Sequence, residues 1–243
     1  YTADGFAGLK AGETGSDTFD VIVEDSGGLT GTGTITATVT GRNNAPEIAQ
    51  IDGDTGSAEP DTAVHLDANA DVAVSDPDAM SLDGGRLTIR QISGAEDGGL
   101  SLDGTTATAG GDADLAGGEA VAVSGTTLGS VVAGSAGQSG NDLAIDLTSN
   151  ATTANVADLI RQVRYSAPSQ DTREFELTLR DGDGTSNGGT AVSDPVTVTL
   201  DIAESSSSGS GSDDDPDPDP DPNPTPPPAP DPDPHPDPDP DPD

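Results

Sequence analysis

Two stretches near the start of the chain alternate apolar and polar residues with a period of two. In TFDVIVED, Phe19, Val21 and Val23 share one face; in TGTITATVT, Ile35, Ala37 and Val39 oppose Thr34, Thr36, Thr38 and Thr40. Successive side chains of an extended strand point to opposite faces, so both stretches are predicted half-buried strands, with DSGGL between them as the hairpin turn. Two strands bury no core of their own. Residues 1–46 therefore read as the C-terminal part of a β-sandwich, and the chain as a fragment of something longer. The same period recurs in GRLTIRQI, EAVAVS, NDLAIDLT, EFELTLRD and PVTVTLDI. In the fourth of these, Phe175, Leu177 and Leu179 point one way while Glu174, Glu176 and Arg180 point the other. NVADLIRQVRYS breaks the pattern: Val156, Leu159, Ile160 and Val163 fall at helical spacing, which predicts one short helix with Asn155 as N-cap and Asp158 three residues on. The sequon Asn150-Ala151-Thr152 just before it reads as a helix-entry turn.

After residue 203 the pattern stops. ESSSSGSGS is a flexible spacer, and the run that follows alternates Asp with Pro. Proline removes the backbone donor and holds the preceding residue in extended space, so neither helix nor sheet forms. Successive Asp charges then lie about 6 Å apart, inside a Debye length of about 8 Å, and repel. The expected division is 1–46, a partial sandwich; 47–203, a complete one; and 204–243, a disordered acidic spacer.

Composition narrows the function. Eight basic and forty-five acidic residues give a formal charge of -37, which excludes nucleic acid and anionic membranes as partners. Aromatic residues are 2% of the chain, with no tryptophan, so there is no platform for stacking sugars or bases. Without cysteine there are no disulfides, thiolate metal sites or thiol nucleophiles. No run is long and apolar enough to insert in a membrane. The serine-hydrolase, zinc-protease, P-loop and dinucleotide motifs are missing, and the two histidines, His65 in a strand and His235 in the tail, have no evident catalytic partners. A glycosidase pair would need carboxylates facing a sugar platform. The chain reads as a non-enzyme.

Carboxylates and amides gather instead at strand ends: Glu24 and Asp25, Asn43 and Asn44, Asp52 and Asp54, Asp76 and Asp78, Asp181 and Asp183. Calcium takes six to eight hard oxygens, and turns supply several within a few residues. Asp and Gly also favour turns for backbone reasons alone. DGDGTSNGG is not an EF-hand, because Ser186 and Val192 stand where that loop needs Gly and a bidentate Glu. Any calcium bound by Asp181 and Asp183 must draw its remaining ligands from other loops.

GETGSDTFDVIVEDSGGLTGTGTITATVTGRNNAPEI resembles the closing half of a VCBS repeat, a module of giant bacterial surface proteins and adhesins; Asn44 replaces that family's usual Asp. Residues 47–203, from NNAPEI and IDGD through VAVSDPDAMSLDGGRLTI to RDGDGTSN and VTVTLDI, are similar to a bacterial cadherin-like repeat, except that 95–142 match nothing in it. The resemblance implies an all-β fold of tandem Ig/cadherin-like β-sandwiches with calcium at Asp76 and Asp78 and at the linker residues Asn43 and Asn44. It also implies a structural extender in an extracellular adhesin at the bacterial cell surface, with neighbouring repeats of the same chain as partners. Two rivals remain: a module that binds a cell-surface glycan or protein, for which 95–142 is the place to look, and an accessory module of a secreted hydrolase.

Overall fold

The structure, a computed structural model, describes residues 4–6 and 8–204. The expectations for the Asp-Pro spacer beyond 204, and for His235, lie outside the described residues.

Strands β1 (Thr14–Glu24) and β2 (Thr30–Thr40) form a two-stranded antiparallel sheet. Phe19 stands opposite Ile35 and Asp17 opposite Ala37, so the apolar positions share one face, as the alternation predicts. That face is thinly covered: Phe19, Val21, Ala37 and Val39 are half-buried, whereas Val23 and Ile35 are exposed. Phe6 and Leu9 pack over Gly15 near its base.

Beyond the linker come β3 (Glu47–Ala49), β4 (Asp54–Ala58), β5 (Val64–His65), β6 (Ala73–Ser75), β7 (Arg86–Ser93), β8 (Gly99–Ser101) and β9 (Ala107–Ala109). Then follow β10 (Ala120–Val123), β11 (Thr126–Ala136), β12 (Leu143–Leu147), helix α1 (Thr153–Arg161), β13 (Arg164–Ser166), β14 (Asp171–Arg180) and β15 (Val196–Ile202). Eight strands make one sheet in the order β4-β15-β14-β7-β12-β11-β10-β9, antiparallel except where β4 joins β15. β5-β13-β8 form a second sheet and β3-β6 a third. The fold is all-β, with one α-helix among the described residues.

Period-two burial decides which faces meet. β14 turns Arg173, Phe175, Leu177 and Leu179 inward, and β15 does the same with Val196, Val198, Leu200 and Ile202. The apolar ones join Leu100 and Tyr165 of the three-stranded sheet and Val156, Leu159 and Ile160 of α1 in a single apolar cluster. The cluster is built mainly from aliphatic side chains; Tyr165 and Phe175 meet edge to face, with centroids 4.8 Å apart. On the solvent face, opposite charges stand directly across strands, Arg86 with Asp146 and Arg90 with Glu176, each 2.7 Å apart. Exposed pairs of this kind add at most about 1 kcal/mol each and help to set register.

The structure corrects the helix. Its N-cap is Thr152, whose hydroxyl accepts from the Asn155 amide at 3.2 Å; Asn155 lies in the first turn and gives its side-chain amide to Asn150 O. The turn at 150–152 is thus the helix entry. The helix stops at Arg161, and RYS becomes β13. Residues 95–142 are strands β8 to β11 with their turns. Of these, β11 escapes the alternation because it carries Gly129, Gly134 and a register shift between Val131 and Ala136.

Candidate metal centre

The linker after β2 is held from two sides. Where β14 ends, Asp181 folds back on its own turn: its Oδ1 accepts from the Asp183 amide at 3.0 Å. Gly182 is obligatory here, since a Cβ would stand 1.7 Å from Asp83 O. The other oxygen, Oδ2, accepts from the Asn43 side-chain amide at 2.9 Å. That amide's second proton goes to Thr190 O at 2.7 Å, and the Thr190 amide returns a bond to Asn43 O at 3.1 Å. The segment 181–190 therefore wraps Asn43, with Asn187 donating to Gly41 O at 3.3 Å. DGDGTSNGGT is both a turn and a clasp.

The second loop follows β6. Asp76 Oδ1 accepts from the amides of Asp78 and Ala79 at 3.1 and 2.9 Å, while Asp78 Oδ2 accepts from the Asn44 amide at 3.2 Å. Two loops distant in sequence thus converge on Asn43 and Asn44. Burial at the junction is deep for Asn43 and Asp181, each 1% exposed, and for Asp78, 7% exposed, while Asn44 and Asp76 are half-buried.

Three oxygens in this pocket of structure, Asn43 Oδ1, Asp76 Oδ2 and Asp78 Oδ1, are buried and receive no hydrogen bond from any described residue. Burial pushes the Asp76 carboxyl up to about 6; its close approach to Asp78 raises it further, against the pull of the Asp78 and Ala79 amides. Asp181 is also raised, first by burial, with repulsion from Asp183 and Asp78 adding and the Asn43 amide opposing. Buried acceptors without donors are expensive, and crowded carboxylates demand a proton or a cation. The donor set consists of carboxylate and amide oxygens, the hard ligands that calcium prefers. The residues fit that ion.

The other predicted positions do not join this junction. Asp25 Oδ1 caps the hairpin turn through the Gly27 and Leu29 amides at 2.8 and 2.9 Å. That turn, with the exposed Glu24, lies at the far end of two strands, roughly 35 Å from the linker at about 3.3 Å per residue. Asp52 Oδ1 anchors the Thr197 amide at 2.8 Å and its hydroxyl at 3.2 Å. Asp54 binds the Ala68 amide and the Asn69 side chain, and belongs to a second group with Asp67 and Asp71, whose ligand atoms lie within 4.8 Å of one another. Sequence reasoning missed those two; their i, i+4 spacing in LDANADV is the available signal. Both oxygens of buried Asp67 accept a bond, from the Asp71 and Val72 amides at 3.3 and 3.0 Å, whereas Asp76 and Asp78 each keep one buried oxygen without a donor.

No protein-family model matches the chain, and no curated protein matches it. Among solved structures it is similar to the C-terminal domain of the Streptococcus pyogenes antigen I/II-family protein AspA, with 11% identity and a TM-score of 0.27 over 78% of this chain. The match spans 55% of that structure's length. Among the described residues, no helix is long and apolar enough to cross a membrane.

Proposed function

We propose that the chain is a calcium-stabilised extender segment of a large secreted or surface-anchored bacterial adhesin, built from cadherin-like sandwiches and stiffened at the linker between hairpin and body. One observation carries this reading: Asn43, Asp76 and Asp78 each hold a buried oxygen without a donor, at the junction where Asp181 and Asp78 grip the linker. A cation there bonds the linker to the loop after β6, next to the clasp that Asp181 starts. At millimolar external calcium, a site of about 10⁻⁴ M affinity stabilises the fold by about 1.4 kcal/mol. The acidic surface keeps neighbouring repeats from misassociating, because like charges repel. The test is thermal unfolding in calcium and in chelator, for the wild type and for Asp78→Asn. The account expects a calcium-dependent rise in Tm that the substitution removes; an equal rise in both proteins sinks it.

A second reading, a glycan- or protein-binding module, draws on a cavity of about 620 Å³ lined by Asp61, Asp97, Asp114 and Gln138, mostly within 95–142. Ligand-array binding abolished by Asp114→Asn favours it over the extender.

A further inference from the structure

Asn187 is the one asparagine in the sequence that is followed by glycine; each of the others precedes a residue with a side chain. It sits exposed in the clasp, at φ 58°, and the Cβ position of Gly188 meets nothing within 4 Å. We propose that Asn187–Gly188 is a site of spontaneous deamidation whose products loosen the clasp on the linker.

The chemistry needs only the chain and water. The Gly188 backbone nitrogen attacks Asn187 Cγ, a new C–N bond closes a five-membered succinimide, and the bond to Nδ2 breaks. The side-chain nitrogen leaves as ammonia with the proton from the Gly188 amide. Water then opens either imide carbonyl, giving aspartate or isoaspartate. A side chain on the following residue hinders the attack, and glycine has none. Asn43 provides the contrast within the same molecule: it is 1% exposed, and its side-chain amide donates to both Asp181 and Thr190.

The consequences follow from the clasp. Both products lose the Asn187 donor to Gly41 O. Both add a carboxylate to a loop that already carries Asp181 and Asp183. Isoaspartate also inserts an extra backbone carbon between Asp181 and Thr190, the two residues that grip the Asn43 side chain. Exposed loops open locally before their flanking strands do, so the attack requires no global unfolding.

The experiment is peptide mass mapping of the whole chain after incubation at mildly alkaline pH, in chelator and in calcium, with Gly188→Ala alongside. Conversion concentrated at Asn187, as both aspartyl isomers, and suppressed by Gly188→Ala is the expected result. An intact Asn187, or conversion spread over the other asparagines, overturns the proposal. Limited proteolysis of the linker at 41–46 reads the consequence: it is faster in Asn187→Asp than in the wild type, and equal rates overturn the loosening. The dependence on calcium rests on the metal reading. At calcium about ten times Kd, the open loop falls roughly tenfold in population and the reaction slows with it. Conversion at Asn187 at equal rates in both buffers upholds the modification site and counts against the metal reading.

Discussion

Asp76 gives the metal-free protein a pH dependence of unusual sign. An Asp carboxyl with an ordinary value of 3.8 stands at about 6 in the fold, first because it is buried and then because Asp78 lies against it. Below the lower value it is protonated in both folded and unfolded chains. Between the two, the unfolded chain gives up the proton while the folded one keeps it, so unfolding gains. Above the higher value the fold holds a buried charge beside another. Stability contributed by this group is therefore complete below about 4 and lost as the pH rises through about 6. At 1.36 kcal/mol per pKa unit, the loss is at most about 3 kcal/mol, less the part that solvent screens at this half-buried group. Urea unfolding followed by far-ultraviolet circular dichroism, in chelator across that range, measures it, and Asp76→Asn removes it. The quantity to read is the difference between the two proteins, because other carboxylates titrate in the same window. Asp181, for example, is also raised, first by burial, and adds a change of the same sign. Parallel curves for wild type and Asp76→Asn refute the reasoning. If calcium binds there as proposed, it is expected to take the proton's place, and the calcium-dependent gain is expected to grow as the pH rises through the same range.

Two further predictions concern the body. Arg173 is wholly buried, bonded to Asp97, Ser169 and Tyr165, so Asp97→Ala leaves its charge with only the longer pair to Asp171 at 3.8 Å, whereas Arg173→Met removes the charge and leaves Asp97 able to reach water; denaturant midpoints are expected to fall further for Asp97→Ala, and the reverse order refutes the argument. Thr152→Ala removes the helix N-cap and is expected to cost about 1 kcal/mol in urea unfolding, while Asn155→Ala, which leaves that cap bond in place, costs less.

How much the sequence revealed depended on whether periodicity or contact chemistry carried the information. β7, β14 and β15 were legible because each alternates apolar and polar positions over a half-buried surface, and β12 because its apolar run is broken only by exposed Asp146. β3, β5, β6, β8 and β9 were not, since two or three residues hold no period. β11 was hidden by Gly129, which lies so close to Asp146 O that a Cβ would stand 2.1 Å away, a demand visible only in the folded pair. The helix was legible from its apolar stripe, but not its start, because Thr152 and Asn155 are both good caps and only the chain direction chooses between them. At the junction, the spacing of Asp76 with Asp78 and of Asp181 with Asp183 marked turns. What no spacing could show is that Asn43 and Asn44 lie between those turns, or that the clasp closes through the Thr190 backbone.

The central claim is that a cation belongs where the linker meets the body. A crystal structure of the protein grown in calcium tests it most directly. The account predicts an ion bound at about 2.3–2.6 Å by oxygens of Asp76 and Asp78, with Asn43 Oδ1 completing the protein's share. A structure at that calcium concentration in which carboxyl oxygens of Asp76 and Asp78 lie within hydrogen-bond distance of each other and no ion touches Asn43 contradicts it.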